Sequence, residues 1–138
     1  MEEIMLTFPG TPIPLSRPRF GRHGKVYTPS KCQEAKRRIA IRALAAMNKK
    51  NPISTAVDVE FVFYMPQPKK PKLHQRNGCA HLSRPDLTNL IKLVEDALNG
   101  IVWTDDCIIA RIDAQKKYGT ETKTVVVVRP LASVQKIT

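Results

Sequence analysis

The chain predicts an α+β domain, a mixed, mostly antiparallel sheet of about four strands covered by two helices. Three observations carry this. Apolar residues alternate from Val57 to Phe63 as on a half-buried strand. Apolar residues recur at helical spacing from Cys32 to Met47 and again from Leu87 to Leu98. The run Val125-Val126-Val127-Val128 reads as a buried strand near the C-terminal tail. At 138 residues one domain across 1–138 is expected, large enough to bury roughly two-thirds of its unfolded surface.

In chain order, Glu3 to Phe8 places Ile4 and Leu6 against Met5 and Thr7, a first strand stopped by Pro9-Gly10. A basic loop follows over about residues 9–25, where prolines and glycines forbid a helix. Arg17, Arg19, Arg22 and Lys25 interleave there with Phe20 and Tyr27, which suits an arm that grips phosphates. Thr28-Pro29 has the chemistry of a helix start, a capping hydroxyl before a proline at the first helical position. Cys32, Ala35, Ile39, Ala43, Ala46 and Met47 make that helix's narrow apolar seam, with Lys31, Lys36, Arg37, Arg38 and Arg42 on its wet side. Ala56 to Tyr64 is the clearest strand. From about 66 to 84 a second basic, flexible loop carries Lys69, Lys70, Lys72 and Arg76, longer than loops usually run without a functional reason. Its His74, Cys79 and His81 match no standard zinc spacing. Ile108 to Tyr118 and Thr124 to Val128 alternate around Gly119-Thr120-Glu121 and read as a closing hairpin.

Composition narrows the function. With 23 basic against 12 acidic residues, the formal net charge is +11, and a polyanion, nucleic acid first, is the expected partner. No apolar run approaches the roughly 18 residues that span a bilayer, and Met1-Glu2-Glu3 is acidic where a signal peptide is basic. A cytoplasmic location without membrane contact is therefore expected. Cys32, Cys79 and Cys107 are an odd set without C-x-x-C spacing, consistent with free thiols.

Against this basic background, Asp86, Glu95, Asp96, Asp105 and Asp106 all fall within residues 84–106. Crowded carboxylates raise one another's pKa unless a cation neutralises them, and a hard divalent cation such as Mg²⁺ is the natural candidate. Between Asp86 as N-cap and Gly100 as the glycine past the end lies a helix of about 12 to 14 residues. Leu87, Ile91, Val94 and Leu98 form its expected buried stripe, with Leu90 and Ala97 at the margin. Thr88, Lys92, Glu95 and Asn99 fall within about 60° of one another on another face, flanked by Asn89 and Asp96. The same pattern would suit a solvated surface helix with Lys92 and Asp96 as an i,i+4 pair. Asp86 at the entrance and Asp105-Asp106 just past the exit favour the metal. Trp103 is expected in the core.

Arg84-Pro85-Asp86-Leu87-Thr88-Asn89-Leu90-Ile91-Lys92, then Asp96-Ala97-Leu98-Asn99-Gly100-Ile101, then Trp103-Thr104-Asp105-Asp106-Cys107-Ile108-Ile109 resembles the signature of the RusA Holliday-junction resolvases. The likeness extends to Arg17-Pro18-Arg19, to Val26-Tyr27-Thr28-Pro29 and to the order of elements. It implies a small homodimeric endonuclease that binds branched DNA, specifically four-way junctions, and makes paired symmetrical nicks with Mg²⁺ or Mn²⁺. By position, Asp86 and Asp106 match the family's metal-binding carboxylates and Lys92 its catalytic lysine. Asn89 and Asp96 match other recurrent positions.

One position departs from that pattern, because Thr88 stands where a second aspartate is expected. Glu95, seven residues on and two turns along the same face, is the expected replacement. The expected metal set is thus Asp86, Glu95 and Asp106, with Asp105 in reserve. Lys92 is expected to stabilise charge on the scissile phosphate. Two alternatives fit the same residues, a non-catalytic nucleic-acid-binding module and a nuclease acting on flaps or other branched DNA.

Overall fold

A computed structural model describes residues 3–16, 19–21, 24, 26–27 and 30–131. The elements are β1 (Ile4–Pro9), β2 (Arg19–Phe20), β3 (Val26–Tyr27), α1 (Ser30–Met47), β4 (Val57–Pro66), α2 (Leu87–Leu98), β5 (Ile109–Gly119) and β6 (Lys123–Pro130). The expected α+β class is found. A four-stranded sheet runs in the order β1-β6-β4-β5, and β2 pairs with β3 in a separate small ribbon. The expected helix start at Thr28-Pro29 lies outside the described residues.

The sheet is mixed. β6 pairs antiparallel with β1 on one side and with β4 on the other, while β4 and β5 run parallel. The expected β5–β6 hairpin does not form, because β4 lies between the two strands. Burial explains the order. Val126, Val127 and Val128 are all buried and need neighbours on both sides. β5 instead exposes Arg111, Ile112, Asp113 and Gln115, as an edge strand tolerates. Parallel pairing of β4 and β5 needs a long crossover, and the 66–84 loop with α2 supplies it.

The short link from β5 to β6 must then step across the end of β4. It does so over Tyr64, whose ring lies beneath the Lys117 and Lys123 ammonium groups at 5.6 and 5.2 Å. A Cβ at Gly119 would stand 2.9 Å from Tyr64 Cβ and 3.0 Å from the Glu121 carbonyl oxygen. Glycine is required there by close approach.

Both helices share one face of the sheet. Phe61 and Phe63, stacked at 5.9 Å between centroids, meet Leu90, Val94 and Leu98 of α2, Ala43 and Met47 of α1, and Trp103 in one core. A second cluster of Cys32, Ala35 and Leu93 fills the seam between the helices. The seam of α1 is narrower than expected, since Ala46 is exposed. That of α2 is rotated. Leu90, Leu93, Val94, Ala97 and Leu98 are buried, whereas Leu87 and Ile91 are half-buried. The rotation follows from α2 packing against α1 as well as the sheet, which brings Leu93 inside. Full burial of each large apolar side chain contributes about 1.5–3 kcal/mol. On the sheet's other face, Arg129 answers Glu3, Glu60 and Asp58 at 2.8, 3.2 and 3.9 Å.

The 66–84 connection is more ordered than its composition suggests. Leu73–Gln75 forms a 3-10 turn closed by the Lys72 N–H donating to Gln75 Oε1 at 3.0 Å. Gly78 to His81 then lies along the outer edge of β5, with Gly78 N–H to Tyr118 O at 2.8 Å, Tyr118 N–H to Cys79 O at 2.9 Å and His81 N–H to Lys116 O at 3.0 Å. These bonds protect the edge strand and fix the approach to α2.

Phe61 is fully buried where helices and sheet meet. Phe61→Ala is expected to lower the unfolding free energy by about 3–5 kcal/mol, read as a shifted midpoint in urea denaturation.

Candidate functional site

The site begins at the entrance of α2. Asp86 occupies the N-cap position in extended backbone, and its carbonyl accepts from the N–H groups of Asn89 and Leu90 at 3.1 and 3.2 Å. Its carboxylate makes no capping hydrogen bond. An N-cap aspartate normally spends its side chain on the first turn, so this one keeps both oxygens for another partner. Asp86, Asn89 and Lys92 line an open cleft of about 1030 Å³, together with Lys31, Arg84, Pro85, His81 and residues 11–16. The wall of residues 11–16 is fixed in place by Leu15 N–H to Asn89 O at 2.9 Å and by Cys32 Sγ on Pro14 O at 3.3 Å.

The exit of α2 brings the second group of carboxylates. Gly100, at φ +81°, closes the helix, and its N–H donates to Trp103 O at 2.8 Å. Ile53 N–H to Val102 O at 2.9 Å and Thr104 N–H to Ile53 O at 3.0 Å tie this turn to the segment before β4. Trp103 is fully buried, as expected. Its indole N–H donates to Asp106 Oδ1 at 2.7 Å, a short charge-assisted bond that fixes the carboxylate from inside the core. Asp105 is exposed and accepts instead from the Cys107 N–H at 3.4 Å.

Glu95 feels the exit carboxylate electrostatically. Burial raises its pKa most, the Asp106 charge raises it further and Asp96 adds to that, while Lys92 acts in the opposite direction. Lys92 therefore serves two neighbourhoods, the cleft with Asp86 and the group around Glu95 and Asp106. Asp96 takes Lys36 of α1 as its ion partner at 3.7 Å rather than Lys92, which leaves the Lys92 ammonium to the site. Among the described residues, no three His, Cys, Asp or Glu side chains converge as a ready cage for an ion. The arrangement fits a cation that needs less, since Mg²⁺ is commonly held by one or two carboxylates plus water and substrate phosphates.

Of the expected phosphate contacts, Lys69, Lys70, Lys72 and Arg76 are exposed on the 66–84 connection. Arg19 pairs through its backbone with Tyr27 in the small ribbon, while Arg17, Arg22 and Lys25 lie outside the described residues. Lys31 and Arg84, which line the cleft beside Asp86, were not among the expected contacts. Their signal is only their chain position next to the helix entrances. In the sequence, zinc binding is the one role that His81 suggests. It is buried with its ring 4.7 Å from that of Tyr118, and its Nδ1 is a buried side-chain atom without a hydrogen-bond partner.

Burial first, and the Lys116 ammonium second, hold the His81 pKa below its ordinary 6.5, against a hydrogen bond to the Ser83 backbone that raises it. As pH falls through 6.5 the unfolded chain takes up this proton first, so its protonation favours unfolding. Wild-type stability should therefore drop from about pH 7.5 to about pH 5.5 more steeply than that of His81→Phe. Urea denaturation at both pH values measures this, and equal slopes would exclude it.

The chain is similar to known proteins. A family model described as "Endodeoxyribonuclease RusA" matches residues 9–129. The chain is also 30% identical over 144 residues to a protein of Bacillus subtilis (strain 168) named "Uncharacterized protein YqaN", an alignment covering 96% of this chain and all of the relative. The matched region runs from the end of β1 to the end of β6 and includes both ends of α2, so the chain belongs to the RusA endodeoxyribonuclease family.

Proposed function

We propose that this protein is a Mg²⁺-dependent, structure-specific endodeoxyribonuclease that resolves Holliday junctions in the cytoplasm by paired symmetrical nicks, acting as a homodimer of single-domain subunits in DNA recombination and repair. The observation that carries the reading is the Asp86 carboxylate, left uncapped at the helix entrance and facing a cleft shared with Lys92 in a chain of the RusA family. Asp86, Asp106 and Glu95, with Asp105 in reserve, would hold one or two Mg²⁺ ions. Mn²⁺ would fit the same oxygen donors.

When bound, the ion supplies positive charge to the phosphodiester and lowers the pKa of adjacent water. Lys92, with Lys31 and Arg84 around the same cleft, draws the scissile phosphate in and stabilises charge growing on its oxygens. Water attacks phosphorus in line, the P–O3′ bond breaks, and the departing 3′ oxygen takes up a proton. The products are a 5′ phosphate and a 3′ hydroxyl. The exposed cations of the 66–84 connection and the arm at residues 17–25 follow the duplex arms.

Thr88, in place of the family's aspartate, and the lack of a three-carboxylate cage among the described residues favour a second reading, a junction-binding protein that does not cut. The decisive measurement is cleavage of a synthetic mobile four-way junction, alongside three-way, flap and linear duplexes, with and without Mg²⁺. The wild type should cut the four-way junction preferentially and only with the metal. Asp86→Asn should reduce the rate by about 100-fold or more, beyond the usual cost of disturbing a group that only orients a ligand, and leave binding intact. Wild-type cutting confined to flaps would move the substrate assignment, and no cutting would select the second reading.

Glu95→Gln tests the compensation separately. A marked loss of rate is expected, whereas a wild-type rate would remove Glu95 from the ligand set. Junction affinity should fall with salt at a log–log slope of about −5, if each subunit neutralises about six phosphates.

A further inference from the structure

Lys116, on β5, is not part of the family motif, yet it makes short polar contacts beside the site. Its ammonium donates to the Ser83 carbonyl and to the Pro85 carbonyl, each at 2.6 Å. These two carbonyls bracket Arg84, and Pro85 immediately precedes Asp86. Lys116 is half-buried, and no carboxylate pairs with it among the described residues. Its charge is answered by these two backbone dipoles. A solvated strand lysine would not hold both at this distance.

We propose that Lys116 is a positioning residue that fixes the Asp86 carboxylate for the cation, an inference resting on the assignment of Asp86 as a metal carboxylate above. Asp86 is restrained from both directions along the chain. Downstream, its carbonyl is held by the first turn of α2 through Asn89 and Leu90. Upstream, no helix exists to hold it, and the chain arrives through a segment whose last backbone tie to β5 is His81 N–H on Lys116 O at 3.0 Å. The Lys116 side chain continues that tie across Ser83 and Pro85. The same strand begins at Ile109, directly after the turn Asp106–Ile108. β5 thus carries Asp106 just before its start and, through Lys116, holds the approach to Asp86 near its end.

The test is a Mn²⁺ titration followed by the electron paramagnetic resonance signal of the free ion. Wild type, Lys116→Met, Lys116→Gln, Lys116→Arg and Asp86→Asn are compared. Lys116→Met should bind Mn²⁺ about 10- to 100-fold more weakly, as expected for loss of a group that orients a ligand. Lys116→Gln, which can reach one carbonyl, should fall between, and Lys116→Arg should recover most of the affinity. Four-way-junction binding in EDTA should stay within about twofold of wild type. In cleavage assays the Mg²⁺ concentration for half-maximal rate should rise more than the rate at saturating Mg²⁺ falls.

Several results overturn the proposal. Unchanged Mn²⁺ affinity in Lys116→Met, with Asp86→Asn weakened, removes Lys116 and leaves the metal assignment standing. Unchanged affinity in Asp86→Asn removes the assignment and this inference with it. Loss of junction affinity in EDTA would make Lys116 a DNA contact instead. Loss of cooperative unfolding in both Lys116→Met and Lys116→Gln would make it a residue of the fold.

Discussion

The seating of α2 in the core is the constraint on which the rest depends. Leu90, Val94 and Leu98 lock the helix onto Phe61 and Phe63, and Leu93 closes its seam with α1. Carboxylates stand at both ends of this one rigid body, Asp86 at its entrance and Asp106 past its exit. A helix rises about 1.5 Å per residue, so twelve packed residues act as a ruler between the two groups. Trp103 extends the same core beyond the helix, and its indole places the Asp106 carboxylate with the 2.7 Å bond. Core packing and placement of the acidic groups are therefore one problem. A cavity opened under α2 would move the charges as well as weaken the fold.

The charge balance follows from the same geometry. Asp96, on α2, is drawn off by Lys36, and Asp105 turns to a backbone N–H. What remains near Lys92 is Glu95 and Asp106, close enough for one to raise the other's pKa. Like charges held together in this way cost stability in the free protein. The surrounding cations, Lys31, Arg84 and Lys92, share the cleft with Asp86 and keep the local field from being purely negative. Such a mixture would suit the cation and the anionic phosphate of the proposed reaction.

The legible parts of the sequence were those governed by short-range patterns. Alternation over residues 57–64 and the helical spacing of Leu87 to Leu98 identified β4 and α2, because burial on one face imposes a period that any reader can count. The family signature singled out Asp86, Lys92 and Asp106 because their spacing is fixed by the helix and its exit turn. Long-range pairing was not legible. Ile108 to Tyr118 and Thr124 to Val128 are adjacent in sequence and alternate well, yet β4 separates them, because only a strand flanked on both sides can bury Val126, Val127 and Val128. Leu93 falls outside the stripe that periodicity predicts, because its partner α1 lies far away in sequence. Lys116 and His81 carried no signal for the same reason. Their partners, Ser83, Pro85 and Tyr118, meet them only after the 78–81 segment lies along β5.

That long-range pairing bears on how the proposed site tolerates Thr88. A helix aspartate at 88 would add a second negative charge beside Asp86 before any substrate is bound, and with it repulsion. Threonine lowers that cost and leaves the cation with fewer protein ligands. The deficit can be met in two ways, by Glu95 from two turns away or by oxygens of the substrate phosphate itself. The second way makes the cation site complete only when DNA occupies the cleft. Loading would then depend on how firmly Asp86 and Asp106 are each held before the substrate arrives. Two restraints act on these groups, the Trp103 bond to Asp106 and the Lys116 bonds behind Asp86. A site with fewer ligands has more need of both, since each remaining oxygen must already be in place when the phosphate docks.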